Sequence, residues 1–222
     1  MSATSGQAAP ASDLPKRSSW QSELRSWLSN PLLVAIVAAL LGSLLIPSVT
    51  RKWQNHQKAL EIQTGIVSEM GQSVSSAVAS SRFIAAGLIA RSSSDPRVEQ
   101  RAWNGLYQTW TTSGASIGAR LRAYFGGKVA SDWQSFSYAL TDYVALSAKP
   151  TADSDRQSQV EEIYAYRKHL PGVRLSRAQW IQLAQTRSGA PFQNAYAQLG
   201  RGLLARQDEL VQQVLSSHVS GF

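Results

Sequence analysis

The chain has 222 residues, with 22 Lys+Arg against 14 Asp+Glu, a formal net charge of +8, 43% hydrophobic residues and no cysteine. No disulfide scaffold and no cysteine-ligated zinc or iron–sulfur centre is compatible with that composition, and the apolar fraction is too high for a wholly disordered chain. The length accommodates one hydrophobic span and one soluble domain.

Residues 1–18 are rich in Ser, Ala and Pro, without periodicity, and read as a disordered tail. Residues 19–30 place Trp20, Leu24, Trp27 and Leu28 at i, i+4, i+7 and i+8. Two readings fit: an interfacial amphipathic helix, or a loop carrying two anchoring tryptophans.

From Pro31 to Val49 run 19 residues without a charge, eleven of them Leu, Ile or Val. As a helix this run is about 28 Å long, close to the thickness of a bilayer core. It includes Pro31, Leu32, Leu33, Ile36, Leu40, Leu44, Ile46 and Val49. Asn30 can cap it, and Pro31 suits its first position. Trp20, Trp27 and Trp53 flank the run at headgroup level. Arg51, Lys52 and Lys58 follow it, where they can meet anionic lipid. A buried core helix would show a polar face over this length. A cleaved leader would have a shorter apolar core and an A-x-A-like site. The expectation is an uncleaved single-pass anchor in the cell membrane. Three basic residues on each side leave the orientation nearly balanced. The adjacency of Arg51 and Lys52 leans toward a cytoplasmic C-terminal domain.

The domain of residues 50–222 opens with a long juxtamembrane helical pattern over 51–91. Its seam runs Leu60, Gln63, Val67, Met70, Val74, Ala77, Ser81, Ile84 and Leu88, in alternating steps of three and four. Many neighbouring positions are Gly, Ala or Ser, so an isolated helix would be weak and needs partners, either in the same chain or in a second copy. Asp95-Pro96 starts a second helix, which runs to about Phe125 and stops at Gly126-Gly127. A third, from about Ser131 to Ala148, places Trp133, Phe136, Leu140 and Tyr143 on one face. After the polar 151–155 linker, a fourth reaches about His169. Ser176 and Gln179 form a capping-box pattern for a short helix around Trp180. The last helix spans about Pro191 to Ser217. No alternating strand pattern is present. The predicted fold is all-α: a single N-terminal transmembrane helix followed by a helical bundle of four main helices plus a short one.

Chemical motifs are sparse. His56, His169 and His218 stand apart, with no metal-ligand spacing such as H-E-x-x-H. Glu161-Glu162 and Asp208-Glu209 are sequence neighbours, so on a helix they diverge. Gly126-Gly127-Lys128 lacks both the upstream glycine and the following Ser or Thr of a phosphate loop, and no G-x-S-x-G occurs. No catalytic, cofactor-binding or metal-binding residue is expected. The basic pairs Arg51-Lys52, Arg120/Arg122, Arg167-Lys168 and Arg174/Arg177 are spread along the chain, which argues against nucleic acid. Trp103, Trp110 and Trp133 would line a ligand pocket between the second and third helices, if one exists there; core packing is the competing reading.

The function expected is a membrane-anchored, non-enzymatic helical module that binds a protein partner or itself. Leu60, Val67, Met70, Val74, Ile84 and Leu88 are its candidate packing seam. Two alternatives remain. One is an extracytoplasmic ligand-sensing bundle that uses the tryptophan pocket. The other is a membrane-perturbing, pore-forming component.

Overall fold

The computed structural model describes residues 31–87, 96–147, 153–186 and 189–219, with the backbone alone at 33, 44–48, 96, 153 and 154. The tail 1–18, the segment 19–30 with Trp20 and Trp27, and Leu88 lie outside the described residues. So do the side chains of Leu33, Leu44 and Ile46. Every regular element among the described residues is a helix: α1 Pro31–Ala85, α2 Pro96–Phe125, α3 Gly127–Leu146, α4 Asp153–Tyr166, α5 Arg177–Gln185 and α6 Ala190–Ser216. A 3-10 turn, Arg167–His169, follows α4.

One correction concerns α1. A membrane span over 31–49 and a separate helix over 51–91 were expected; one helix of 55 residues covers both regions and ends at Ala85. Pro47 deletes one backbone donor, and the helix continues through it. The end comes early because Gly87 turns into the left-handed region at φ 65. There the Ala86 and Gly87 amides donate to the Arg82 and Ile84 carbonyls. Among the described residues no helix is long and apolar enough to cross a membrane.

The chain divides into two units, Met1–Asn55 and His56–Phe222. In the first, the described side chains of α1 are mostly exposed, among them Leu32, Ile36, Leu40, Val49 and Trp53. Arg51 and Lys52 are exposed there as well.

The second unit is a bundle with one continuous hydrophobic cluster, which runs from Ile66 on α1 to Val214 on α6. Within it α3 is central, packing against α2, α4 and α6, while α5 bridges α4 and α6. Gly126, at φ 83, separates α2 from α3. That single left-handed residue makes the whole break, so α3 begins at Gly127, four residues before the expected Ser131.

The seam of α1 is used inside this bundle. Met70, Val74 and Ile84 are fully buried, as are Ala77 and Ser81. The buried side chain of Gln63 donates from Nε2 to the Val214 carbonyl at 2.7 Å. Gln193 on α6 donates to the Ala85 carbonyl at 2.6 Å. Arg120 on α2 pairs with Glu69. Two positions depart from the expected seam. Leu60 is exposed, and Ile66 takes the fully buried place beside a half-buried Val67. At about 100° per residue Ile66 lies roughly 40° from the direction of Met70 and Val67 roughly 60° to the other side, so Ile66 is the closer to the buried line.

Candidate functional site

Of the two readings of the tryptophans between α2 and α3, core packing describes Trp110 and Trp133. Trp110 and Trp133 are each only 1% exposed, and their rings tilt against one another at 6.2 Å. All three indole N–H groups are satisfied between α2 and α3. Trp103 donates to the Val144 carbonyl at 3.2 Å, Trp110 to Thr141 Oγ1 at 3.0 Å, and Trp133 to the Gly114 carbonyl at 2.9 Å. The glycines of α2 permit this approach. A Cβ at Gly118 would stand 3.2 Å from the Trp133 ring, and one at Gly114 would stand 2.9 Å from Ser137 Oγ. The rings of Trp110 and Trp133 pack as core between the helices, and Trp103 is half-buried.

An open groove of about 1060 Å3 lies elsewhere, between α4, the 170–176 loop and α5. Val160, Tyr164 and Glu161 stand on the α4 side, Val173 and Leu175 come from the loop, and Trp180, Ile181 and Ala184 from α5. Tyr164 and Ile181 are 43% and 45% exposed. Trp180 is buried and meets the Tyr164 ring edge-on, with centroids 5.2 Å apart. Arg167 lies 3.6 Å over the Tyr164 ring and donates to the Tyr164 carbonyl at 2.6 Å, which holds one rim in place. Arg177 stands exposed on the opposite rim.

Local sequence fixes this geometry. Ser176 caps α5 by accepting from the Gln179 amide, while the Gln179 side chain accepts from the Ser176 amide. The buried Arg156 of α4 donates from Nε to the Leu183 carbonyl at 2.8 Å and from Nη2 to the Thr186 carbonyl at 2.9 Å. It also lies over the Phe192 ring at 5.4 Å. One charged side chain thus ties α4 to the open end of α5 and to the start of α6.

Asp142 of α3 meets Glu162 of α4, and neither lines the groove. Burial, followed by the Glu162 charge and a hydrogen bond between the two side chains, pushes the Asp142 carboxyl up to about 7. Burial also raises the hydroxyls of Tyr143 and Tyr196, whose rings stack at 4.2 Å in the core. Among the described residues no three His, Cys, Asp or Glu side chains gather to hold a metal ion.

Sequence reasoning missed the groove, Arg156 and the Asp142–Glu162 pair. For Arg156 a signal existed: it sits four residues before Val160 and seven before Ile163, on the apolar stripe of its helix. For the groove a signal existed too. Residues 163–207 contain seven Lys or Arg and no Asp or Glu. Asp142 and Glu162 meet only through the tertiary fold. Lys58 and Leu60 are exposed, and neither lies at the groove.

The second unit is thus an all-helical bundle with an open groove of mixed basic and apolar character. No protein-family model, no curated protein and no solved structure matches this chain.

Proposed function

We propose that the chain is a membrane-anchored, non-catalytic interaction module, held to a bilayer by residues 31–49 and binding a protein partner through the bundle of residues 56–222. One observation carries the anchoring: Leu32, Val34, Ile36, Val37, Leu40 and Leu41 are all exposed on one helix. At about 100° per residue they span roughly 200° of its circumference, and the exposed Ala35, Ala38, Ala39 and Val49 occupy the rest. A protein groove covers one stripe of a helix, whereas lipid covers every side. Counted over the sequence, with Leu33 and residues 44–48 included, the run from Pro31 to Val49 holds no charge. It has the length a bilayer core needs. Arg51 and Lys52 directly after it favour placing the bundle on the cytoplasmic side.

The test uses the absence of native cysteine. Single cysteines at Ser5 and at the exposed Ser158 are labelled with a membrane-impermeant maleimide, before and after lysis. The protein is expected to stay in the membrane fraction through alkaline carbonate, with Ser158→Cys labelled only after lysis. Labelling of Ser158→Cys in intact cells would reverse the orientation. Release by carbonate would remove the anchor.

A further inference from the structure

We propose that the groove between α4 and α5 docks an acidic amphipathic helix of a partner protein; the proposal rests on reading the chain as an interaction module and names the partner's chemistry. Three observations converge on it. The first is charge. The segment from Ile163 to Gln207 carries seven basic residues and no carboxylate, and it supplies the 3-10 turn, the loop, α5 and most of α6. Arg167 and Arg177 bring that charge to the groove, where Glu161 is the one carboxylate lining it. An acidic partner is steered toward such a surface and a basic one is turned away.

The second is the apolar strip between those charges. Ile181 and Tyr164 are exposed, and Val173 and Leu175 half-buried, along one concave trough. A helix with Leu-type side chains at i, i+3, i+4 and i+7 lays such a stripe into a groove of this kind. At about 1060 Å3 and open to solvent, the trough lies at the top of the size range of small-ligand pockets, about 300–1,000 Å3, and leaves room for a peptide helix. Its concavity argues against a bilayer surface, which is flat and engages side chains that protrude.

The third is preorganisation. The capping box at Ser176, the Arg156 bonds to the Leu183 and Thr186 carbonyls, and the Arg167–Tyr164 stack fix the walls before anything binds. A rigid site loses less conformational entropy on association.

The experiment uses the full chain in nanodiscs of phosphatidylcholine. The probe is a fluorescein-labelled peptide of Glu, Ala and Leu, with leucines on one helical face. Its controls are a scrambled sequence and a version with Lys in place of Glu. Fluorescence anisotropy should show saturable binding of the acidic amphipathic peptide alone. Arg177→Glu and Ile181→Asp alter exposed side chains, so both variants should keep the parent melting temperature. Each should weaken binding roughly tenfold or more. The proposal is overturned by no saturation, by equal binding of the scrambled or Lys peptide, or by affinity that both substitutions leave intact. It is overturned as well if the substitutions instead lower affinity for phosphatidylserine vesicles, which would make the face a lipid contact. Carbonate extraction reads the anchor independently, so a failed groove and a failed anchor give separate results.

Discussion

Asp142 holds its proton to about pH 7 in the folded protein, against an ordinary value of 3.8, because it is half-buried beside the Glu162 carboxylate. Between those two values the folded state binds a proton that the unfolded chain has released. Stability contributed by this group is therefore full below about pH 4 and is lost as pH rises toward 7. Asp142→Asn should leave the melting temperature near pH 4 almost unchanged and raise it at pH 8. After discounting for partial exposure, the gain should be on the order of 1–2 kcal/mol. Equal shifts at both pH values would refute the electrostatic account. Arg156 presents the opposite case, a buried charge whose bonds hold α5. Arg156→Ala strips the Leu183 and Thr186 carbonyls of a charged donor and should cost about 2–3 kcal/mol in urea unfolding. A loss below about 0.5 kcal/mol would mean that water replaces the guanidinium without penalty. These two residues were legible to different degrees. Arg156 sits on an apolar stripe and could have been read, whereas Asp142 owes its character to a helix 20 positions away.

Elements whose signals are local were the ones the sequence disclosed. The short helix α5 carries its own start signal in Ser176 and Gln179, and both reciprocal bonds form. Ser176→Ala should cost about 1 kcal/mol by thermal denaturation and loosen the α5 wall of the groove. A melting temperature equal to the parent's would show that packing of Trp180 and Leu183 alone holds the helix. What the sequence leaves open depends on what lies across from an element. Periodicity places Trp103, Trp110 and Trp133 on facing stripes, but it cannot say whether the gap between stripes is filled; the glycines at 114 and 118 close it. Likewise Pro47, a residue type that ends or kinks many helices, lies inside one that continues through it. Close approach also governs α6. A Cβ at Gly200 would lie 2.7 Å from the Tyr143 hydroxyl oxygen and 3.2 Å from Val78, so Gly200→Ala should destabilise the bundle by about 1–3 kcal/mol. A neutral or stabilising result would mean that the Tyr143–Tyr196 stack can shift without penalty.

At the scale of the whole chain, apolar surface is distributed unevenly between the two units. In the unit of residues 56–222 large hydrophobics converge on one cluster, and those left exposed, such as Phe83, Tyr138 and Ile181, are spaced apart in sequence. In the first unit they recur from Leu32 to Leu41, with Val49 and Trp53 following, and all are exposed. A charge-free helix with apolar side chains on every side is unfavourable in water, at roughly 25 cal/mol for each Å2 of apolar surface left wet. The cost disappears if lipid or detergent surrounds it. The full chain should therefore enter the detergent phase of Triton X-114. A fragment of residues 56–222 should stay in the aqueous phase and melt cooperatively as a helical protein, because its core is complete without residues 31–55. If the fragment entered the detergent phase as well, the adhesive surface would belong to the bundle, and the exposed ring of Tyr164 with Ile181 would be the first place to seek it. If the full chain stayed in water, the apolar helix would have to find cover in protein, and self-association would replace the bilayer as its partner.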